Sequence, residues 1–357
     1  MDSGSGFVTV LNQDILNIFR KAMRILITSP RLLFFIIRTF INQKRAVRKR
    51  MKWEKQGVHV PPFMIYSITN KCNLACKGCY SNAFRDEQLE ELSGKRVDAI
   101  VSEARDMGIS IIIVGGGEPF LRSDFLDITG KHRDIIFPVF TNGLLLNDEK
   151  IKALKKQPHV IPVISIEGYE EETDGRRGEG VYMHIKKTSQ RLYDNNIFFG
   201  VSLTVTSRNF SQVTSDSFVK QLLYLGSRLF FFIEYIPVRD GSEKYAMTEK
   251  QRKRILTLTP ELKRKFPALF FAFPGDEAKF GGCLSSGRGF VHLSAGGRLE
   301  PCPFAPYSDT DLSKSSLSEA LKSPFLAKIR ENYKELSETE GGCALWEKRE
   351  WVQGLLK

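Results

Sequence analysis

The feature that most constrains this chain is a cysteine triplet, Cys72, Cys76 and Cys79, which directly follows an apolar run at residues 63–70. The β-branched residues of that run predict a buried strand, so the CxxxCxxC spacing falls in the loop after it. Three thiolates this close together predict a metal centre, because soft sulfur ligands select zinc or iron–sulfur clusters. A structural zinc ion needs a fourth ligand, and the surrounding sequence offers only His59, before the strand. Three cysteines on a four-iron cluster would instead leave one iron open.

A glycine-rich segment, GGGEP at residues 115–119, follows a second apolar run. Together, the cysteine spacing and this segment resemble the radical S-adenosylmethionine (SAM) superfamily. The resemblance implies a 4Fe-4S cluster on the cysteine triplet, with SAM chelating the open iron. It also implies that Gly116, Gly117 and Glu118 receive the SAM ammonium group. The alternative is a zinc knuckle followed by an ordinary glycine turn.

Further SAM-binding residues follow from the same resemblance. Asn142 and Ser165 close the third and fourth predicted strands, and the serine of a Ser-x-Asp-Gly element helps hold SAM in similar proteins. Here Glu167 replaces the aspartate of that element. In the next loop Arg176 or Arg177 could pair with the methionine carboxylate, since a guanidinium matches that geometry, or could be a solvated charge. We choose Arg177.

Two positions make the site of this chain unusual. Similar proteins carry an aromatic residue just before the third cysteine, in contact with adenine, whereas this chain has Gly78 there. We expect Tyr80 to be the substitute. Glu234 lies inside the apolar run LFFFIEYIP, and a buried carboxylate is costly unless it is paired or functional. It could bind substrate or take a proton as a catalytic residue, or it could point outward and pair with a lysine.

The pattern of the chain predicts an α/β fold. From residue 63 to about residue 240, apolar β-branched runs alternate with helical patterns, as in βα units of a parallel sheet. Six such units agree with the partial six-stranded (β/α)6 TIM-like barrel of the superfamily. Past Asp240 we expect the alternation to stop. The predicted site residues would then lie at the C-terminal ends of the strands, where such barrels have their active sites.

Charge and composition divide the chain into three predicted parts. Twelve Lys or Arg and three Asp or Glu lie in residues 1–57, so this segment carries +9 of the net +12. We expect a basic amphipathic helical appendage at 1–57, a radical SAM core at 58–240 and an iron–sulfur extension of α+β type at 241–357. The chain is long enough for a large core, and six cysteines without a secretory signal indicate a reducing cytoplasm.

The appendage has three open interpretations. Apolar residues recur at helical spacing in residues 10–55, and the longest apolar run, Leu32 to Ile37, is too short to span a bilayer. A basic amphipathic hairpin could make peripheral contact with the inner face of a membrane. It could equally dock on the barrel or on a second subunit. Contact with RNA ranks third, and we expect nucleic acid not to be a partner.

The C-terminal extension holds the other three cysteines, Cys283, Cys302 and Cys343. The segment GFVHLSAGGRLEPCPF predicts a hairpin with a Gly-Gly turn. Gly297 followed four residues later by a cysteine resembles the G-x4-C element of SPASM and twitch extensions. The resemblance implies an auxiliary 4Fe-4S cluster with an open or non-cysteine fourth position. The alternatives are a zinc site completed by His292 or three unrelated thiols.

The resemblance implies a radical SAM enzyme, of the oxidoreductase or another radical-modifying class. Such an enzyme reductively cleaves SAM to a 5′-deoxyadenosyl radical, which abstracts hydrogen from a substrate, and we expect a peptide or protein. The same chemistry on a membrane lipid, a small molecule or a cofactor precursor is an alternative, as is a non-catalytic electron-transfer or redox-sensing protein. The expected reductant is a flavodoxin or ferredoxin.

Overall fold

A curved nine-stranded sheet forms the centre of the protein. The computed structural model describes residues 3–26, 30–85, 89–273, 280–336 and 343–356. The strand order is β7-β6-β5-β4-β3-β2-β1-β8-β9. In chain order the strands are β1 (Phe63–Thr69), β2 (Ile111–Gly116), β3 (Phe137–Thr141), β4 (Val160–Ile166), β5 (Gly200–Val205), β6 (Leu229–Glu234), β7 (Leu269–Phe273), β8 (Phe290–Leu293) and β9 (Leu299–Glu300).

Helices connect these strands and cover the outer face of the sheet. They are α1 (Ser3–Leu26), α2 (Pro30–Glu54), α3 (Tyr80–Ala83), α4 (Gly94–Met107), α5 (Phe125–Lys131), α6 (Asp148–Lys156), α7 (Glu170–Arg177), α8 (Val181–Asp194), α9 (Phe210–Val213), α10 (Asp216–Tyr224), α11 (Glu249–Lys265), α12 (Leu317–Ala320), α13 (Pro324–Glu331), α14 (Ala344–Glu347) and α15 (Arg349–Gly354). The α/β class is thereby confirmed.

The sheet contains more parallel strands than the sequence predicted. Strands β1 to β8 all pair in parallel, and only β9 pairs antiparallel, with β8. The expectation that the βα alternation stops past Asp240 is wrong, because α11 leads into β7, which pairs with β6. The predicted Gly-Gly hairpin forms as β8 and β9, but β8 also extends the sheet beside β1. These additions pair edges that six strands would leave open. The domain limits at 57 and 240 stay predictions.

The sheet is curved enough to bring distant strands together. The rings of Phe140 on β3 and Phe231 on β6 lie 5.1 Å apart, although β4 and β5 separate their strands. In a flat sheet three strand spacings would place them about 14 Å apart. Along β1, Met64 and Tyr66 are buried toward the helices, whereas Phe63, Ile65 and Ser67 face the concave side and are partly exposed. We call this concave side the lumen.

The N-terminal helices dock on the lower end of the barrel, meaning the N-terminal ends of its strands. Arg50 is buried and donates to the carbonyl oxygen of Gly108, just before β2. Gln43 Oε1 accepts a hydrogen bond of 2.7 Å from Ser110 Oγ, and Asn42 Nδ2 donates over 3.0 Å to Asp134 Oδ1, just before β3. Docking on the barrel is therefore the interpretation that these contacts bear out.

Membrane contact is another interpretation of the same two helices. Within the described ranges, every helix is either too short or too polar to cross a bilayer. The side chains of Leu32 and Leu33, which begin the predicted apolar run, lie outside the described part of the chain.

Candidate active site

The first cysteine triplet lies at the upper end of the barrel, in the loop between β1 and α3, which we call the cysteine loop (residues 70–79). The charges of Cys76 and Cys79 raise the pKa of Cys72, so the three thiols are close neighbours. Burial raises the pKa of Cys72 and Cys76, and for Cys76 the guanidinium of Arg177 opposes the rise. None of the six cysteines forms a disulfide.

The donor set of the cysteine loop fits an iron–sulfur cluster, because cysteine thiolates are the ligands of such clusters. A four-iron cluster binds each thiolate at a separate iron. Three neighbouring thiols in one loop are therefore compatible with such a cluster.

The glycines of GGGEP hold the cysteine loop through the backbone. Gly117 N donates to Thr69 O over 2.7 Å, and Glu118 N donates to Lys71 O over 2.8 Å. A Cβ on Gly116 would lie 2.4 Å from Thr69 O, and one on Gly117 would lie 2.0 Å from Lys71 O. Only glycine permits this approach, because any side chain would displace the chain entering the cysteine loop.

Glu118 ties the ends of β2 and β3 together. It is 1% exposed, and its Oε1 accepts from Thr141 Oγ1 over 2.8 Å and from Phe120 N over 3.1 Å. Its Oε2 accepts from Asn142 N over 2.8 Å. Burial raises the pKa of Glu118, although these hydrogen bonds oppose the rise. Asn142 Nδ2 in turn donates to Asn73 Oδ1 over 2.8 Å, inside the cysteine loop. The sequence interpretation overlooked Asn73, which its position in that loop could have indicated.

A buried ion cluster joins α7 to the cysteine loop. Glu167, at the end of β4, accepts from Arg177 Nε over 2.9 Å and Nη2 over 2.5 Å, and Arg176 Nη1 lies 2.7 Å from the same oxygen. Burial favours the neutral acid, yet the two guanidinium groups hold the pKa of Glu167 below its usual range. Arg176 Nε also donates to Lys77 O over 3.1 Å, and Lys77 N donates to Arg176 O over 2.9 Å.

Tyr235 lies against Gly78, the position at which similar proteins carry an aromatic residue. A Cβ on Gly78 would meet Tyr235 Oη at 2.5 Å, so this ring covers the glycine before the third cysteine. Tyr235 is 4% exposed, its Oη has no hydrogen-bond partner among the described residues, and the Arg176 guanidinium lies 5.9 Å from its ring centroid. Tyr80, the expected substitute, packs against Phe304 with ring centroids 4.9 Å apart and the ring planes tilted by 53°, and its contact with adenine stays a prediction. The sequence offered no signal for Tyr235 beyond its position directly after β6.

The other predicted site residues are distributed as follows. Ser165 is partly exposed on β4, in register with Ser202 of β5. Glu234 is buried and accepts from Arg252 Nε of α11 over 2.7 Å. Burial raises the pKa of Glu234, and the Arg252 charge opposes the rise. Glu234 thus has an ion-pair partner, an arginine rather than a lysine.

The extension meets the barrel close to the first triplet. Burial raises the pKa of Tyr80, and the charges of Cys79 and Cys302 add to the rise, so the Tyr80 ring lies near a cysteine of each group. Cys283 and Cys302 are buried, and Cys343 precedes α14.

His292 has partners other than a metal. Its Nε2 lies 2.8 Å from Ser67 Oγ, and its Nδ1 lies 2.7 Å from Glu300 Oε2. Both of its ring nitrogens are thus engaged by protein groups, which weighs against the zinc alternative. The three hydrogen-bonded residues sit on β1, β8 and β9, and they link the extension to the lumen wall.

Comparison with known proteins identifies the family. Residues 66–211 match the model of the Radical SAM superfamily. The chain is 24% identical to an AdoMet-dependent heme synthase of Methanosarcina barkeri, over 83% of this chain and 91% of that protein. It is 29% identical to the mycofactocin maturase MftC of Mycolicibacterium smegmatis, over 49% of this chain and 45% of the maturase. The crystal structure of Streptococcus suis SuiB bound to precursor peptide SuiA superposes with a TM-score of 0.65 at 17% identity, over 87% of this chain and 75% of SuiB.

The family match coincides with the part of the chain that carries the site. It begins within β1 and includes the cysteine loop, the GGGEP segment, Glu167 and both arginines. The curved parallel sheet is the fold of the matched structure. Residues 66–211 form a radical SAM domain, the domain of enzymes that use a 4Fe-4S cluster and SAM as cofactors, and the C-terminal extension resembles those of SPASM and twitch proteins.

Proposed function

We propose that this enzyme binds its cluster through Cys72, Cys76 and Cys79 and abstracts hydrogen from a peptide or protein. With cluster and SAM bound, a 5′-deoxyadenosyl radical is the reagent they supply. The observation that carries this proposal is the cysteine loop: three neighbouring thiols held from both sides, by the glycines of GGGEP and by α7. The role of the chain is to bind SAM, aim it and exclude water.

Each SAM-binding residue has a role that its contacts support. The backbones of Gly116 and Gly117 hold the cysteine loop beside the cofactor, and Glu118 and Asn142 lock the neighbouring strand ends. Ser165 offers its hydroxyl from β4. Arg177 has its guanidinium occupied by Glu167, so we propose that it positions that carboxylate and places positive charge beside Cys76.

Three further roles complete the site. Tyr235, over Gly78, closes the site from the β6 side. Glu234 is a candidate proton acceptor, which would require release from Arg252. Cys283, Cys302 and Cys343 are the proposed ligands of an auxiliary 4Fe-4S cluster, supported by the position of Tyr80 near Cys302.

The substrate class rests on the relatives. MftC is a maturase, and SuiB has been captured with a precursor peptide, which together favour a peptide substrate here. A cofactor precursor is the second candidate, because the heme synthase is matched over 91% of its length whereas MftC is matched over 45%. A flavodoxin or ferredoxin is the proposed reductant, and peripheral membrane contact through residues 10–55 is the proposed additional partner.

Anaerobic reconstitution tests the reaction class. Iron and sulfide are added to the full chain, followed by dithionite and SAM, and 5′-deoxyadenosine is measured by chromatography. We expect it from the wild type and not from Cys76→Ala. Zinc in the purified site would contradict the proposal, as would an iron electron paramagnetic resonance signal that does not change when SAM is added.

The two substrate classes can be separated in the same assay. Iron coproporphyrin III serves as the probe for a cofactor precursor, and small peptides encoded beside the gene serve as probes for a peptide. The correct class should raise 5′-deoxyadenosine formation and change the mass of the probe. A changed porphyrin with unchanged peptides would replace the first candidate by the second.

A further inference from the structure

Helix α2 has one face built for the barrel. The residues Ile36, Thr39, Gln43 and Arg50 are each at most 6% exposed, and they recur at the spacing of a single helical face. Two of them carry the hydrogen bonds to Ser110 and Gly108 described above. This inward face is buried against the rest of the chain.

The opposite face of α2 is apolar in its first half and basic in its second. Phe34 is 73% exposed, and Ile37 and Ile41 are each 46% exposed, although isolated exposed apolar residues are normally scattered rather than aligned. Arg45 and Arg48 continue the same face and are exposed. Docking on the barrel therefore leaves a second amphipathic surface exposed in the part of the chain that the structure describes. We call residues 34, 37, 41, 45 and 48 the outer stripe.

We propose that the outer stripe binds the surface of an anionic bilayer. The active-site mouth, meaning the upper end of the barrel beside the cysteine loop, would face away from that bilayer. This deepens the proposed membrane contact and does not depend on SAM chemistry. Phe34, Ile37 and Ile41 would enter the headgroup region, where apolar side chains leave water. Arg45 and Arg48 would lie against lipid phosphates, as the +9 charge of residues 1–57 favours.

The position of α2 sets the orientation of the enzyme on such a surface. The helix touches the segments that lead into β2 and β3, whereas the cysteine loop follows the C-terminal end of β1. A strand of seven residues such as β1 separates the two ends by about 23 Å. A bilayer bound to the outer stripe is thus on the far side of the barrel from the mouth. The substrate would be taken from water, which disfavours a membrane lipid as substrate.

Vesicle flotation of the full-length enzyme tests the proposal. Vesicles contain either phosphatidylcholine alone or phosphatidylcholine with about 30 mol % phosphatidylglycerol. We expect flotation with the anionic vesicles only, and about a tenfold loss in the triple variant Phe34→Ser, Ile37→Ser, Ile41→Ser. The matched control is Tyr224→Ser, since Tyr224 is 86% exposed on α10 and lies off the stripe. A charge variant, Arg45→Glu with Arg48→Glu, should lose anionic flotation as well.

Three results would overturn the proposal. These are equal flotation on neutral and anionic vesicles, equal flotation of the triple variant and the wild type, and capture by a 40-nucleotide RNA in preference to the vesicles. Thermal unfolding of each variant verifies that it is folded. Formation of 5′-deoxyadenosine should be unchanged in the stripe variants, so its absence in the wild type would refute the reaction class while leaving the membrane result standing.

Discussion

The upper and lower ends of the barrel are held together by different kinds of contact. At the upper end, the backbones of Gly116 and Gly117 pack closely against the carbonyl oxygens of Thr69 and Lys71. Side chains such as Asn142 and Arg176 add hydrogen bonds to the cysteine loop. At the lower end, long polar side chains such as Arg50 reach from α2 to the carbonyl oxygens of the barrel. Backbone contacts place the cysteine loop with little freedom, which a reactive centre needs, whereas side-chain contacts fasten an added element.

The largest expected effect comes from breaking a backbone contact at the upper end. A Cβ at Gly117 would lie 2.0 Å from Lys71 O, so Gly117→Ala must displace the cysteine loop. We expect a loss of bound iron and about a hundredfold loss of 5′-deoxyadenosine formation, because displacements near 1 Å have that cost in active sites. Gly115→Ala is the control for iron content, since its Cβ would meet nothing within 4 Å. Equal iron content in the two variants would contradict the comparison.

Breaking a side-chain contact at the lower end should lower the stability of the protein and leave the cysteine loop able to bind iron. Arg50 is 2% exposed, and its Nη2 donates to Asn12 Oδ1 over 2.5 Å in addition to the Gly108 contact. Arg50→Met leaves these acceptors unpaired, and we expect a loss of about 3 kcal/mol in the free energy of unfolding, measured with urea. Arg48→Met, on the exposed face, should change it by less than about 0.5 kcal/mol. A fall in iron per folded chain would show instead that the two ends are coupled.

Glu118 is a buried side chain at the upper end whose contribution to stability depends on pH. Burial holds the pKa of Glu118 above its usual range in the folded chain, so protonation favours folding. Its stabilising contribution is complete below the unfolded pKa and is lost as the pH rises through the folded pKa. As the pH falls toward the unfolded pKa, wild type should therefore gain stability relative to Glu118→Gln in urea unfolding. A pH-independent difference between the two would refute this assignment.

The smallest effect on stability is expected at Tyr235. Its hydroxyl is buried without a partner among the described residues, so Tyr235→Phe should leave the free energy of unfolding within about 0.5 kcal/mol of wild type. If the hydroxyl contacts SAM, SAM affinity should fall about fivefold, since one hydrogen bond is worth about 1 kcal/mol. Tyr224→Phe is a control for affinity. Unchanged affinity would confine Tyr235 to packing over Gly78.

The sequence by itself determined the local chemistry of the site. The spacing of Cys72, Cys76 and Cys79, the GGGEP segment and the alternation of strands and helices are all encoded over short stretches. Local spacing is read reliably because it needs no knowledge of distant partners. The α/β class, the radical SAM family and the β8–β9 hairpin were accessible for this reason.

Only the tertiary structure decided which distant residues meet. It placed β7 at one edge of the sheet and the β8–β9 hairpin at the other, brought Tyr235 over Gly78 and paired Arg177 with Glu167. It also turned one face of α2 toward the barrel and the other toward solvent, where charge alone had left the choice open. Such pairings depend on burial and on the curvature of the sheet, which are properties of the folded chain as a whole.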